Sequence, residues 1–313
     1  MIPCQRVRRW HDKACGRRTT CDTISDRHYS DPNGNNKRHS GLDRMIEMAA
    51  WRNLALRMPI IRQWRERREI EFVVGDIVIE APKPQVSKSV RKSLRKNDYE
   101  TAETYLVRRL VRPGNTVLDL GAGLGLTSIV AAKASGHGRV VGYEADPVVA
   151  PLAEKNVRRN GVQVEIRNKA IAKEKGACEF HVRRSFTASS IFPSKGSRKI
   201  LVEADAFQDV VDEIQPDVIV CDIEGIEKEV FASANLSSVH RMVLEVHPQV
   251  IGLLAVLKCV LELAASGLSL VESLSFGQVL VFDRDGSSSS IEPFKSDRQK
   301  DRKTAAVHGA GMA

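Results

Sequence analysis

Two short stretches hold side chains able to move a proton. Asp222 and Glu224 follow an apolar, β-rich run at residues 217–221, and Glu245 and His247 lie at the end of a similar run at 241–246. Alternation along an extended chain sends residues i and i+2 to one side, so Asp222 pairs with Glu224 and Glu245 with His247. An imidazole titrates near neutrality, and a carboxylate crowded by others is raised toward it, so either group could act as a general base. The same donor set also suits a hard divalent cation.

A third stretch is built to bind rather than react. Residues 116–128 read TVLDLGAGLGLTS: a short buried-type strand with one acid, Asp119, then Gly121, Gly123 and Gly125 alternating with Ala122 and Leu124. A helical pattern comes next and Gly136 closes it. Strand, glycine turn and helix form the first half of a nucleotide-binding βαβ unit. The glycines let the backbone turn tightly and bring a ligand against main-chain N–H groups at the helix start. A dinucleotide fingerprint G-x-G-x-x-G beginning at Gly121 requires glycine at position 126, where Leu126 stands. An acid inside the strand repels a pyrophosphate and suits a cationic ligand with an amino group and a sulfonium. Glu144 ends the next strand, at residues 139–145, about twenty residues past the glycines, where such folds place the acid that bonds ribose hydroxyls.

Together these residues resemble S-adenosylmethionine-dependent methyltransferases of the FkbM type. The resemblance runs over roughly residues 75–284. It is carried by Tyr99, Glu100 and Glu103, by VLDLGAGLG, by Glu144, by Cys221-Asp222-Ile223-Glu224-Gly225 and by Glu245-Val246-His247-Pro248; Gly123 stands where many members have asparagine. It implies an α/β, Rossmann-like class I methyltransferase fold, with a seven-stranded, mostly parallel sheet in the order 3-2-1-4-5-7-6 and an antiparallel final strand. It implies S-adenosylmethionine held by Asp119, Gly121, Ala122, Gly123, Glu144, Ala145, Asn168 and Ala170, with Glu100 closing over it and Asp222 anchoring its amino group or the acceptor. In that sheet the two reactive strand ends are neighbours. Asp222, Glu224, Glu245 and His247 then converge beside the methyl donor, with His247 or a carboxylate as base and no resident metal assigned. The implied reaction is O-methyl transfer to a hydroxyl of a sugar, glycan or secondary metabolite. The competing readings are a non-catalytic S-adenosylmethionine-binding or interaction module and, against Leu126, a dinucleotide oxidoreductase.

Composition bounds the rest. A chain of 313 residues accommodates one α/β domain of about 210 residues with extensions. The net charge is +9, and residues 1–70 supply most of it, with 16 Lys and Arg against 8 Asp and Glu. The charge therefore describes an N-terminal arm suited to weak surface interactions, not a specific nucleic-acid site. The six cysteines lack paired C-x-x-C spacing, which argues against a zinc site or a disulfide framework and for a reducing, cytoplasmic setting. The longest apolar stretch, residues 250–265, contains Lys258 and Glu262 and reads as a core helix, not a membrane span.

Four segments result: a disordered basic segment (1–41), a basic amphipathic helical segment (42–70), the domain (71–284) and a disordered tail (285–313). Residues 1–41 differ so much in composition from the segment after them that Met45 is a candidate start. A chain truncated to begin at Met45 is expected to keep its fold and its ligand binding. Circular dichroism and calorimetry check this, and a folded truncation that no longer binds the methyl donor refutes it.

Overall fold

The computed structural model describes residues 70–182, 197–223, 225–286, 288 and 290–294. The arm, the helical segment up to residue 69, the polar loop around Ser189, Ser190 and Lys195, most of the tail, and Glu224 lie outside these residues.

The described chain opens with a hairpin, β1 (Glu71–Val74) and β2 (Ile77–Glu80), turning at Gly75. Helices α1 (Lys88–Lys96) and α2 (Thr101–Leu110) come after it. The basic stretch 86–96 is a helix because Ser87 caps it, its Oγ accepting from Val90 N–H. Then come β3 (Val117–Leu120), α3 (Leu126–Ser135), β4 (Val140–Tyr143), α4 (Ala150–Arg159) and β5 (Glu165–Arg167). A side sheet is next: β6 (Ala170–Ala172), β7 (Gly176–Val182) and β8 (Arg198–Ala206). The chain returns to the main sheet through α5 (Phe207–Ile214), β9 (Val218–Cys221), α6 (Glu227–Phe231), β10 (Arg241–Glu245), α7 (Pro248–Ile251), α8 (Leu253–Ala265), β11 (Ser269–Leu270) and β12 (Val279–Asp283).

The main sheet has seven strands in the order β5-β4-β3-β9-β10-β12-β11. Strands β5, β4, β3, β9 and β10 run parallel, and β12 is antiparallel to β10. This is the Rossmann-like class I methyltransferase fold that the sequence led us to expect. Alternation along the strands divides the core. Val117, Val140, Val218, Val220, Val243 and Val281 pack with α2, α3, α4 and the hairpin on one face. Leu118, Leu120, Val141, Ile219, Met242, Leu244 and Phe282 pack with α5, α6 and α8 on the other. Asp119 falls in register with the first set and so faces α3.

Several elements depart from expectation. Residues 164–171, which read in the sequence as one strand, are split between two sheets, because Asn168 Nδ2 donates to the Glu144 and Ala145 carbonyls and turns the chain after β5. Ala170 thus begins β6 of the side sheet and is buried there. Residues 268–275, which read in the sequence as one strand of a final pair, hold a strand of only two residues, because Leu274 and Ser275 turn back onto the Val271 carbonyl. The stretch 250–265 is broken at Gly252, and the helix beyond it is not a full core helix. Val256, Cys259 and Leu263 are buried, whereas Leu253, Leu254, Leu257 and Leu261 are 51–68% exposed. No helix among the described residues is long and apolar enough to cross a membrane.

The hairpin is fastened to the domain by two asparagines spaced one turn apart, Asn156 within α4 and Asn160 at its C-cap. Asn156 Oδ1 accepts from Glu80 N–H at 2.7 Å, and its Nδ2 donates to the carbonyls of Glu80 and of Leu124 in the glycine turn. Asn160 does the same at Val78, its Oδ1 accepting at 3.0 Å and its Nδ2 donating at 2.8 Å. The amide side chains replace a third strand along the outer edge of β2. Asn156→Ala strands three backbone groups, at roughly 1–3 kcal/mol for each that is fully buried. It is expected to destabilise the domain by about 3 kcal/mol or more, against about 1 kcal/mol for the less buried Asn160→Ala. Urea denaturation of the two variants checks this, and equal losses refute the ranking.

Candidate functional site

The site is assembled where the carboxyl ends of β3, β4, β9 and β10 meet. The glycine turn after β3 is held by short backbone contacts. The N–H groups of Gly121 and Ala122 both donate to the Tyr143 carbonyl, at 2.9 and 2.8 Å, which ties β3 to the end of β4. Gly121 has φ +87°, and a Cβ placed on it would collide with the Asp222 carbonyl. The turn therefore needs glycine both for its backbone angle and for the close approach of β9.

The two acids of the donor region are engaged within the domain. Asp119 is buried, and its Oδ2 accepts from the Thr127 and Ser128 hydroxyls at the start of α3. Burial raises the Asp119 carboxyl and the two hydroxyls lower it. That oxygen locks the turn to its helix. Glu144 bridges the turn and the loop after β4: its Oε2 accepts from Gly123 N–H at 2.8 Å and its Oε1 from Asp146 N–H at 2.7 Å. Burial pushes Glu144 up to about 7, against the two backbone donors that lower it. Each oxygen keeps a second lone pair, so the residue can still accept from ribose hydroxyls. Ala122 is buried in the turn, and the Ala145 carbonyl accepts from Asn168. Asn168 braces the Glu144 loop, while Ala170 has moved into the side sheet.

Further acids gather about the ends of β9 and β10. Glu100 precedes α2 with a left-handed backbone, φ 47°, uncommon for a side chain with a Cβ and placed here beside the site. Its Oε2 is buried with no hydrogen-bond partner. Burial pushes the Glu100 carboxyl well above the usual range, with Glu103, Asp119 and Glu245 adding to the rise. Burial likewise carries Glu103 up to about 7, with Glu245 adding to it. Glu245 is raised by burial and by Glu227, and lowered by His247. Asp222, Glu245 and His247 offer ligand atoms that all lie within 4.8 Å of one another, close enough to hold a divalent cation. His247 is 5% exposed, and its Nε2 stands 3.5 Å from Asp222 Oδ1. Its Nδ1 lies 3.0 Å from Oε1 of Glu227, a residue that no sequence motif marks. Glu227 looks from sequence like a solvated acid in the first turn of a helix, and only the tertiary burial of α6 distinguishes it.

Residues 94–182 match the Methyltransferase small domain. The ribosomal protein L11 methyltransferase of Thermosipho africanus is 37% identical over 95 residues, 30% of this chain and 34% of that protein. That of Chloroflexus aurantiacus is 49% identical over 59 residues, 19% of this chain and 18% of that protein. The chain thus spans about a fifth to a third of the length of these curated relatives. The ribosomal protein L11 methylase of Lactobacillus delbrueckii subsp. bulgaricus superposes with a TM-score of 0.37 at 15% identity, over 58% of this chain and 75% of that one.

The fold and the glycine turn are those of class I S-adenosylmethionine-dependent methyltransferases, and the similarity to the Methyltransferase small domain lies over the turn and the strands beside it. These matches overturn the resemblance to the FkbM type: the matching family is the small-domain one, and the relatives are named for a ribosomal protein. The expected small-molecule or glycan hydroxyl acceptor falls with it. The misreading has a physical source. Acids at the ends of β9 and β10 form a charged cluster, and the spacing of such acids along the sequence does not encode the acceptor.

The chain's residues fit S-adenosylmethionine. Gly121 leaves no side chain over the turn, Glu144 offers spare lone pairs, and the unpartnered Glu100 oxygen suits an ammonium group. Glu144→Ala is expected to weaken donor binding by about 1.5–3 kcal/mol, the scale of hydrogen bonds to a charged group. Isothermal calorimetry checks this. Unchanged affinity in a folded variant removes Glu144 from the donor site.

Proposed function

We propose that this domain transfers a methyl group to an amine of a protein, and that a ribosomal protein is the acceptor class. The observation that carries the reading is the acidity around His247: Asp222, Glu245 and His247 offer atoms within 4.8 Å of one another, Glu227 lies 3.0 Å from the ring, and Glu100 and Glu103 are close enough to Glu245 for it to raise them both. Such a site attracts a cation. The names of the relatives point to a protein as the carrier of that cation.

S-adenosylmethionine supplies a sulfonium methyl that is already electrophilic. The protein has to seat, align and deprotonate the acceptor. A protonated amine enters among the carboxylates. His247 Nε2 accepts one of its protons, the freed lone pair forms the new N–C bond, and the C–S bond pair leaves with the sulfur. Asp222 and Glu245 stabilise the imidazolium formed. Glu103 tunes the affinity for the acceptor. It gains its charge as pH rises through about 7, so acceptor KM falls over that interval.

The test uses the full chain, donor labelled in its methyl group, and ribosomal proteins of the host. Label is expected on lysine or N-terminal amines, stable to mild base, by mass spectrometry. His247→Ala is expected to lower kcat by about 10²–10⁴-fold with donor affinity unchanged. Glu103→Gln is expected to flatten the fall of KM near pH 7. Label confined to base-labile esters or to small molecules overturns the reading. Turnover that is lost with chelator and restored by Mg²⁺ assigns Asp222, Glu245 and His247 to a metal instead.

A further inference from the structure

We infer that Glu227 is a positioning residue that fixes the tautomer and orientation of His247, so that the imidazole presents its Nε2 lone pair to the acceptor. This rests on the proposed role of His247 and extends it to a side chain in another element. The geometry is specific. Glu227 is fully buried, and its Oε1 lies 3.0 Å from His247 Nδ1. The same oxygen accepts from Gly225 N–H at 3.0 Å. An oxygen already accepting from a backbone N–H is the acceptor of the second bond too, so the shared proton sits on Nδ1. The Nε2 atom then carries the lone pair, toward Asp222 Oδ1 at 3.5 Å. A proton captured there lies between two carboxylates, one on each side of the ring.

Stability alone does not account for this acid. Its other oxygen, Oε2, is buried with no hydrogen-bond partner, and Ile226, Val230 and Phe231 around it belong to an apolar cluster. A buried carboxylate satisfied on one oxygen costs more than an apolar side chain of similar size. The arrangement is that of a histidine whose second nitrogen is set by a buried acid, the device that holds a general base in its working tautomer.

The titratable groups facing the pair come from each neighbouring element: Asp222 and Cys221 at the end of β9, Glu245 of β10 and Cys259 of α8. Burial holds both thiols high, Cys259 at about 12 and Cys221 well above the usual thiol range. They stay neutral across the working pH, and the carboxylates alone set the charge around the ring.

Two measurements test the inference. In the full-length protein with ¹⁵N-labelled histidines, His247 assigned by its loss in His247→Gln, the neutral ring is expected as the Nδ1–H tautomer. A neutral ring protonated at Nε2 overturns the inference whether or not a protein acceptor is ever found. In Glu227→Gln, kcat on the ribosomal-protein acceptor is expected to fall about 10- to 100-fold, the usual scale for such outer partners. The acidic limb of its pH profile is expected to move to lower pH because the anion that favours the imidazolium is gone. Glu227→Asp is expected to return that limb toward its original position. Donor affinity remains unchanged throughout. A folded Glu227→Gln protein with the original kcat and limb overturns the inference; no methyl transfer by the unsubstituted protein overturns the proposed function instead.

Discussion

The backbone contact at Gly121 governs the rest of the molecule. There the turn after β3 passes so close to the Asp222 carbonyl that no side chain fits between them. The Tyr143 carbonyl gathers two N–H groups from the same turn. Three parallel strands are thus registered at their carboxyl ends within one hydrogen-bonded patch. Because the chain is pinned just past β9, Asp222 emerges at a fixed point beside the glycine turn. Because β10 pairs with β9 in register from Arg241 to Leu244, Glu245 and His247 emerge next to it.

The acids collected there compete with folding. Asp119 and Glu144 recover part of their desolvation from hydroxyls and backbone N–H groups, which also stiffen the turn. Glu100 and Glu227 each keep a buried oxygen that recovers nothing. Uncompensated oxygens of this kind lower stability, and both belong to residues at helix starts, Glu100 ahead of α2 and Glu227 opening α6. The sheet interior, where Val117, Leu118, Val218 and Met242 are fully buried, supplies the stability that such a site spends.

Much of this was legible in the chain. The short continuous apolar runs marked the core strands, and the glycine spacing with Leu126 at the decisive position argued against a dinucleotide fingerprint. Residues two apart at the ends of β9 and β10 marked the polar cluster. What was not legible depended on tertiary contacts. Asn168 has no local signal for ending β5, since its partners are the carbonyls of the preceding loop. Glu227 becomes distinctive only when α6 buries it against His247. The apolar run 250–265 resembles a core helix because sequence does not reveal that Leu253, Leu254, Leu257 and Leu261 stay exposed. The acceptor was misread because strand-end acids report on charge and not on the molecule that bears the opposite charge.

The asparagine ladder on α4 reaches beyond packing. The outward amides of Val78 and Glu80 are protected by side chains of a helix and not by a neighbouring strand. Their exchange with solvent is therefore timed by the opening of α4, while the inward amides of β2 track the hairpin. One of those asparagines also holds the Leu124 carbonyl in the glycine turn. A ligand that steadies the turn would then slow exchange in a hairpin it never touches, making β2 a remote reporter of occupancy.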